Sequence, residues 1–353
     1  MYALMDYRLS VNVEMNSVGF PTLRSLRPAV RNLDPEYDVL FRLFRIGETV
    51  DDDSIKRALP VNVFDALVEL ELLERDADKK EWRTPSLLIV PVEGLYLIVG
   101  VPPVYTTATR PCNTGFDVSS LIVVKSLPTS LAGLTVLDVC SGSGIQGLLC
   151  ARRGADSIVG LELNEEAVIT ARANAILNDL DQRVDFRQSD KLAALNAAER
   201  FDFVVCNTPS VPMISGTIVP TSLEEIGNVV LVDLLAQLSA HLQPDACGIL
   251  CAWRSFGFAG RTFQANDIAS QLAEKGFATT VHVDRAPNTI ESILRGLEIE
   301  LERRSSMQRT EAATIMQRLR GQLQQPEKPV DGVYNQVIFI NRTRQQAKCA
   351  STT

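Results

Sequence analysis

The segment with the clearest chemical potential is a turn of small residues that follows the apolar run 135–139. Asp138 lies inside that run, and a helix-like run begins at Ile145. Small side chains let a ligand approach the backbone closely, and the start of a helix presents N–H groups that have no partner in the helix. The turn by itself therefore predicts a ligand site without defining the ligand. Its residues include Cys140, Ser141, Gly142 and Gly144.

Acidic and amide side chains follow the next three strand-like runs. Glu162 closes the second run, twenty residues after Gly142, where a carboxylate can accept hydrogen bonds from two ribose hydroxyls. Asp190 follows the third run, and the sequence Asn207-Thr208-Pro209-Ser210 follows the fourth. The turn and Glu162 together predict a ligand that carries a ribose.

Strand-like and helix-like runs alternate through the second part of the chain. Six strands separated by helices predict a mostly parallel sheet that is covered on both faces. A seventh strand follows a long helical insertion near 288–325 and is expected to return antiparallel. Ligands of such sheets bind at the carboxyl ends of the strands, where the residues described above lie. The expected strands are 135–139, 157–163, 184–187, 201–206, 248–253, 279–283 and 333–341.

The turn resembles the first motif of the class I S-adenosylmethionine-dependent methyltransferases, which is roughly Asp-x-Gly-x-Gly-x-Gly. Asp138, Gly142 and Gly144 match that motif, whereas Cys140 occupies a position where glycine is usual. Cysteine is small enough to leave the pocket open but is less tolerant of a positive φ. The resemblance covers roughly 116–253 and implies an α/β fold with a Rossmann-like sheet of seven strands. It also implies S-adenosylmethionine as the cofactor.

The later motifs extend this resemblance in the expected order. Glu162 takes the place of the acid that binds the ribose, and Asp190 takes the place of the acid on the adenine side. The cofactor-binding residues implied by the resemblance are Asp138, Cys140, Ser141, Gly142, Gly144, Glu162, Leu163, Asp190 and Asn207.

The fourth motif resembles the Asn-Pro-Pro-aromatic motif of methyltransferases that act on amino and amide nitrogens, among them the release-factor glutamine methyltransferases. There the Asn side chain and a following carbonyl hold the attacking nitrogen in line with the methyl group. This implies Asn207 and the carbonyl of Thr208 as catalytic positions. Thr208 replaces the first proline, and Ser210 replaces the aromatic ring that would sandwich a planar amide. Glutamine amides and nucleobases are therefore disfavoured as acceptors.

An aromatic residue before the sheet is the third catalytic candidate. Tyr105 and Phe116 lie in the stretch that folds over the cofactor in similar enzymes. A ring there can contact the sulfonium through a cation–π interaction. We assign this role to Tyr105, because Phe116 is better explained as a core residue.

The first part of the chain has the element order of a winged helix: three short helices and then a β-ribbon over 82–84 and 87–99. We therefore expect a smaller α+β winged-helix-like domain with its connector over 1–110, and the cofactor-binding domain over 111–353. A DNA-reading third helix would present Arg and Lys, whereas this one carries Asp65 and Glu69. Packing, dimerisation or covering of a substrate are the roles that remain.

Charge and cysteine content narrow the class of partner. A net charge of −8 gives no general attraction to nucleic acid, and no apolar run is long enough to span a membrane. Seven cysteines without CxxC spacing or a His cluster indicate reduced thiols and no metal site. The amino-terminal residues lack a signal-peptide pattern. A cytoplasmic location is expected, and a homodimer remains open.

Several functions are compatible with these residues. The first is methyl transfer to a nitrogen or carboxylate of a small molecule, as in secondary metabolism. The second is an S-adenosylmethionine cyclase, similar to azetidine-2-carboxylate synthases, in which the cofactor's own amino group attacks Cγ and releases methylthioadenosine. The third is a non-catalytic module that senses S-adenosylmethionine. An NAD-linked dehydrogenase is disfavoured because the turn lacks the dinucleotide glycine spacing.

Overall fold

The computed structural model divides into two compact units. The first unit contains the amino-terminal region together with Gly142–Ile145 and Asn164–Gln182, and the second contains the remaining residues from Ser119 onward. The structure describes residues 34–46, 48–76, 80–84, 87–100, 118–208, 213–214, 217–218, 229–258, 261–262, 270, 272–283, 313–314, 316–317, 320 and 332–342.

The first unit begins with three helices and a small antiparallel sheet. Asp51 caps the second helix, because its carboxylate accepts from the backbone N–H of Ser54 at 2.8 Å. The elements are α1 (Pro35–Phe41) continued by a π-helical turn (Arg42–Ile46), β1 (Val50–Asp51), α2 (Asp52–Ala58), α3 (Val61–Glu69), β2 (Glu74–Asp76) and β3 (Glu81–Arg83). The core beneath these elements is Val39, Leu43, Phe44, Val50, Ile55, Leu59 and Leu73.

The predicted β-ribbon proves to be two separate elements, a three-stranded sheet and a hairpin. In the first, β3 pairs with both β1 and β2, so that Trp82 lies opposite Val50 on one side and Arg75 on the other. The second consists of β4 (Leu87–Val92) and β5 (Leu95–Gly100), which pair only with each other among the described residues. The sequence did not reveal β2 because Glu74–Asp76 is entirely charged. Its stability comes from cross-strand pairs such as Arg83 Nε to Glu74 Oε1 at 2.7 Å.

The hairpin β4–β5 packs against a long helix of the same unit, α6 (Glu165–Leu177). Asn164 caps this helix, since its side-chain oxygen accepts from the N–H of Ala167 at 3.0 Å. The cap explains where the helix begins, directly after the second strand of the large sheet.

The second unit is built on a sheet whose main path contains seven strands, as the sequence predicts. The strands are β6 (Thr135–Val139), β7 (Ser157–Glu162), β8 (Val184–Gln188), β9 (Phe201–Asn207), β12 (Leu242–Phe258), β14 (Phe277–Val283) and β15 (Gly332–Arg342). Their order in the sheet is β14-β15-β12-β9-β6-β7-β8. The last five are parallel neighbours, whereas β15 is antiparallel to both β14 and β12.

Apolar residues of these strands and their helices form the core of the second unit. Leu137 and Val139 of β6 pack with Val204 and Cys206 of β9, all at most 1% exposed. Burial of apolar surface contributes about 25 cal/mol per Å², so this core is the main source of stability of the second unit.

The remaining elements of the second unit are helices and short strands. The helices are α4 (Val118–Ser126), α5 (Ile145–Arg152) and α7 (Val229–Leu238) with a 3-10 turn (Ser239–His241), and the short strands are β10 (Met213–Ile214), β11 (Thr217–Ile218) and β13 (Arg261–Thr262).

Strand order identifies the edge at which a ligand is expected. From β6 the chain moves outward through β7 to β8, and then returns to the other side of β6 to form β9. Ligands of such sheets bind outside the carboxyl ends of the strands at this switch in direction.

Within the part of the chain that the structure describes, no helix has the length and apolar character needed to cross a membrane.

Two predicted features lie almost wholly outside the described residues. The connector that carries Tyr105 and Phe116 is one, and the helical insertion near 288–325 is the other.

Candidate active site

Asp138 is fully buried near the carboxyl end of β6, and the start of α5 fixes its side chain. Its Oδ2 accepts a hydrogen bond from the N–H of Gly147 at 2.9 Å. A Cβ added to Gly147 would lie 3.0 Å from that same oxygen, so glycine permits this close approach of helix and strand. The carboxylate is therefore held in one orientation.

The environment of Asp138 favours its neutral form. Burial raises the pKa of this carboxyl, the hydrogen bond from Gly147 lowers it and nearby Glu162 raises it, with a net pKa of about 8. Its other oxygen, Oδ1, has no hydrogen-bond partner among the described residues. The same holds for Ser141 Oγ and Gln146 Oε1, which are also buried. Three buried polar atoms without a protein partner indicate that a polar ligand or water completes this edge.

The turn after β6 requires left-handed backbone at several positions. Cys140 has φ +60°, Gly142 has φ +54° and Gly144 has φ +84°. Glycine adopts this region freely, whereas a residue with a Cβ incurs about 1–2 kcal/mol of strain. The thiol of Cys140 also hydrogen-bonds that of Cys206 on β9, which together with burial raises the pKa of Cys206. Cys140 therefore adopts the conformation of the glycine that it replaces.

Glu162 and Asp190 lie at the ends of two adjacent strands. Glu162 ends β7 opposite Gln188 of β8, and its carbonyl accepts from the N–H of Ser189 at 2.8 Å. The side chain of Asp190 is 71% exposed, and Leu163 is 62% exposed. Two carboxylates and an uncovered apolar side chain thus lie along one edge. This arrangement is suited to ribose hydroxyls and a flat apolar ring.

Asn207 ends β9 on the other side of β6. It lies opposite Cys251 of β12, and Val139 of β6 lies opposite the preceding Cys206. Thr208 is 4% exposed, and its hydroxyl donates to the carbonyl of Cys251 at 3.0 Å. The threonine side chain is therefore used to attach the end of β9 to β12, which leaves only its backbone carbonyl as a candidate group for an acceptor.

The second unit thus brings most of the predicted site residues to one edge of its sheet. Gly142 and Gly144 follow Ser141 directly in the chain but are grouped with the first unit. Tyr105 lies outside the described residues. Sequence reasoning overlooked Gln146, although a glutamine in the first turn of an otherwise apolar helix was a usable signal. Among the described side chains, no group of three or more His, Cys, Asp or Glu is arranged to hold a metal ion.

Comparison with known proteins agrees with this arrangement. Residues 104–217 match the model of the methyltransferase small domain. This segment belongs to the methyltransferase small domain family. The second unit, which contains most of that segment, carries the fold and motifs of a class I S-adenosylmethionine-dependent methyltransferase.

Two relatives and one solved structure illustrate the similarity. A protein of Methanocaldococcus jannaschii, named as a protein N5-glutamine methyltransferase, is 31% identical over 35% of this chain and 56% of its own length. The ribosomal protein L11 methyltransferase of Aquifex aeolicus is 33% identical over 36% of this chain and 52% of its own length. A methyltransferase of Thiobacillus denitrificans, solved with S-adenosylhomocysteine, is 16% identical over 67% of this chain and 96% of its own length, with a TM-score of 0.39. The chain thus spans about half the length of the two relatives.

The residues present fit S-adenosylmethionine, the cofactor of this family. This cofactor carries an ammonium group, a sulfonium group and ribose hydroxyls, which call for carboxylates and polar acceptors. Asp138 Oδ1, Ser141 Oγ and Gln146 Oε1 are buried acceptors that no described protein group satisfies. A Cβ added to Gly142 would meet no atom of the described residues within 4 Å, so none of them fills the space beside the turn. S-adenosylmethionine is the cofactor of this domain.

Proposed function

We propose that the chain transfers the methyl group of S-adenosylmethionine to a nitrogen or carboxylate of a small molecule, with Asn207 aligning the acceptor. The observation that carries this proposal is the place of Asn207 at the carboxyl end of β9. That strand is the neighbour of β6, whose end leads into the cofactor motif, and the chain changes direction between the two. An acceptor at Asn207 would lie beside the cofactor edge.

The contribution of the chain is positioning. S-adenosylmethionine supplies an electrophilic methyl group when bound. The side-chain oxygen of Asn207 would accept an N–H of the acceptor, and the carbonyl of Thr208 would accept a second, which directs the nitrogen lone pair at the methyl. The bond from the Thr208 hydroxyl to Cys251 holds that carbonyl in place. Correct alignment of two reactants contributes about 7–11 kcal/mol in favourable cases, so no general base is required for a neutral amine.

Two features support a small molecule as the acceptor. Ser210 stands where an aromatic ring would sandwich a planar amide, and the net charge of −8 gives no attraction to phosphate backbones. The relatives are named for glutamine residues and for ribosomal protein L11. Protein acceptors must therefore be tested beside small amines and carboxylates.

The decisive experiment is incubation of the purified chain with S-adenosylmethionine, first alone and then with each class of acceptor. Mass spectrometry would quantify S-adenosylhomocysteine and methylthioadenosine. We expect neither product above background without an acceptor, and S-adenosylhomocysteine with small amines or carboxylates. Methylation of L11 or of a glutamine-containing peptide, without turnover of small acceptors, would overturn the small-molecule assignment. Methylthioadenosine formed from the cofactor alone would show the cyclase reaction instead.

The cofactor assignment has its own test in Glu162→Ala. We expect cofactor binding to weaken by about 1–3 kcal/mol, because hydrogen bonds to a charged acceptor are lost. Asp181→Ala is a matched control, since it removes an exposed carboxylate from a turn rather than from the carboxyl edge. Calorimetry with S-adenosylhomocysteine would measure both variants. Unchanged affinity in Glu162→Ala would remove Glu162 from the ribose site.

A further inference from the structure

Two asparagines on one face of α6 form the same set of hydrogen bonds with strand β5. Asn174 Oδ1 accepts from the N–H of Ile98 at 2.7 Å, and its Nδ2 donates to the carbonyl of Ile98 at 2.9 Å. One helical turn later, in the residue that follows α6, Asn178 Oδ1 accepts from the N–H of Tyr96 at 2.8 Å and its Nδ2 donates to the carbonyl of Tyr96. Each amide therefore imitates one residue of a partner strand.

This pairing provides hydrogen-bond partners for backbone groups at the edge of the hairpin that β4 does not pair with. In the described residues, β5 pairs only with β4, and Tyr96 and Ile98 present their backbone groups on the opposite side. Backbone groups that are partly buried need partners. Residues four apart on a helix lie on one face, as do residues two apart along one edge of a strand, so two asparagines at that spacing match Tyr96 and Ile98.

The third hydrogen bond distinguishes the two asparagines. Asn178 Nδ2 donates its remaining N–H to the carbonyl of Asn174 at 2.7 Å, which lies on the same helix. Asn174 Nδ2 donates its remaining N–H to the carbonyl of Ser143 at 2.9 Å. Ser143 belongs to the turn that carries the first methyltransferase motif. Only Asn174 therefore connects the hairpin to that turn.

We propose that Asn174 is a positioning residue for the cofactor-binding turn, which it fixes through the Ser143 carbonyl. The proposal rests on the function proposed above. Because a peptide bond is planar and trans, holding the Ser143 carbonyl toward α6 also directs the N–H of Gly144 away from it. Gly142 and Gly144 flank Ser143 in left-handed backbone, and glycine has many alternative conformations. A fixed anchor between them limits those alternatives.

Burial adds weight to this role. Asn174 is 0% exposed, yet asparagine is a poor residue for a helix interior, and three of its four hydrogen-bonding positions are used by the strand and the turn. A residue needed only for the packing of α6 would be apolar. The polar side chain at this position is explained by the backbone groups that it orients.

The test compares Asn174→Ala with Asn178→Ala, because each variant loses two hydrogen bonds to β5 and only the first loses the bond to Ser143. The measurements are the Kd for S-adenosylhomocysteine by calorimetry and the Tm without ligand. We expect Asn174→Ala to raise the Kd about tenfold and Asn178→Ala to leave it within about twofold. Both are expected to lower the Tm, since both weaken attachment of the hairpin.

Each outcome bears on the proposal. An equal change of Kd in the two variants would overturn it, because hairpin attachment alone would then explain the effect. Should Asn174→Ala fail to fold, Asn174→Leu keeps the side-chain volume without facing the two carbonyls with a further acceptor, and it is judged by the same Kd comparison. If neither Asn174 variant folds while Asn178→Ala does, Asn174 is a folding residue and the proposal is wrong. Failure of the unmodified chain to bind S-adenosylmethionine or S-adenosylhomocysteine would instead overturn the proposed function itself.

Discussion

The two halves of the carboxyl edge differ in how their polar groups are satisfied. On the side of β6, β7 and β8, Asp138 Oδ1 and Ser141 Oγ are buried and have no hydrogen-bond partner among the described residues. On the side of β9 and β12, Thr208 is buried and its hydroxyl is bonded to the neighbouring strand. The first half matches the family's motifs except at Cys140, whereas the second keeps Asn207 but replaces the first proline and the aromatic residue of its motif. A ligand that a whole family shares constrains the residues whose polar groups it pairs with. Residues whose polar groups are paired within the protein are not constrained by that ligand and can differ.

The largest expected effect lies in the second half, at Asn207. In Asn207→Ala we expect turnover to fall about 100-fold, because loss of alignment of the reacting atoms is costly, with affinity for S-adenosylhomocysteine within about threefold of the unmodified chain. Steady-state kinetics, with an acceptor found by the product analysis proposed above, and calorimetry would separate the two quantities. The opposite result is expected for Glu162→Ala, in which the affinity for S-adenosylhomocysteine should change more than the turnover. If Asn207→Ala changed mainly affinity and Glu162→Ala changed mainly turnover, the second half would bind the cofactor and the first would align the acceptor.

A smaller effect is expected from the pH dependence of binding at Asp138. Its pKa is about 8, and a bound cation would favour the ionised form. Lowering the pH from about 8 to about 6 must then weaken binding, by up to about tenfold per pH unit, since binding has to displace the proton. Asp138→Asn should remove this dependence. The cofactor's own titration is common to both proteins, so their difference isolates Asp138.

The same carboxyl also has a consequence for folding. The unfolded chain loses this proton near the ordinary value of 3.8, whereas the folded chain keeps it to about pH 8. The folded state therefore binds more protons between these values, and the contribution of Asp138 to stability falls as the pH rises through that interval. The Tm of the chain minus that of Asp138→Asn should decrease from about pH 5 to about pH 8. A constant difference would show that Asp138 is not held neutral.

The first half of the edge could be predicted from sequence to a greater extent than the second. Short strand-like runs located β6, β7 and β8, because strand periodicity and short turns are local properties. The bond from Thr208 to Cys251 joins residues 43 positions apart and has no local signal. Charged β2 was missed for the same reason, since cross-strand pairing rather than propensity stabilises it.

Thr208→Val tests whether the polar groups of the second half are paired within the protein and not by a ligand. Loss of the hydroxyl bond to Cys251 should lower the free energy of unfolding by about 1 kcal/mol and leave S-adenosylhomocysteine affinity unchanged. Thr170→Val is a suitable control, because its hydroxyl also donates to a carbonyl, that of Glu166 at 2.9 Å, but on an exposed helix surface. Denaturant unfolding would compare them. A loss of affinity in Thr208→Val without loss of stability would place this hydroxyl in the ligand site.

The smallest expected effect is at Cys140, the one motif position in the first half that departs from the family. Glycine there would remove about 1–2 kcal/mol of left-handed strain but would cost about 0.5–1 kcal/mol in backbone entropy and lose the thiol contact with Cys206. Cys140→Gly should therefore change the free energy of unfolding by less than about 1 kcal/mol. Cys140→Ala loses the same thiol but keeps the strain, so it should be less stable than Cys140→Gly by about 1 kcal/mol in denaturant unfolding. Equal stability of the two variants would mean that the turn relaxes when the thiol is removed, and that the contact with Cys206 holds Cys140 in its left-handed conformation.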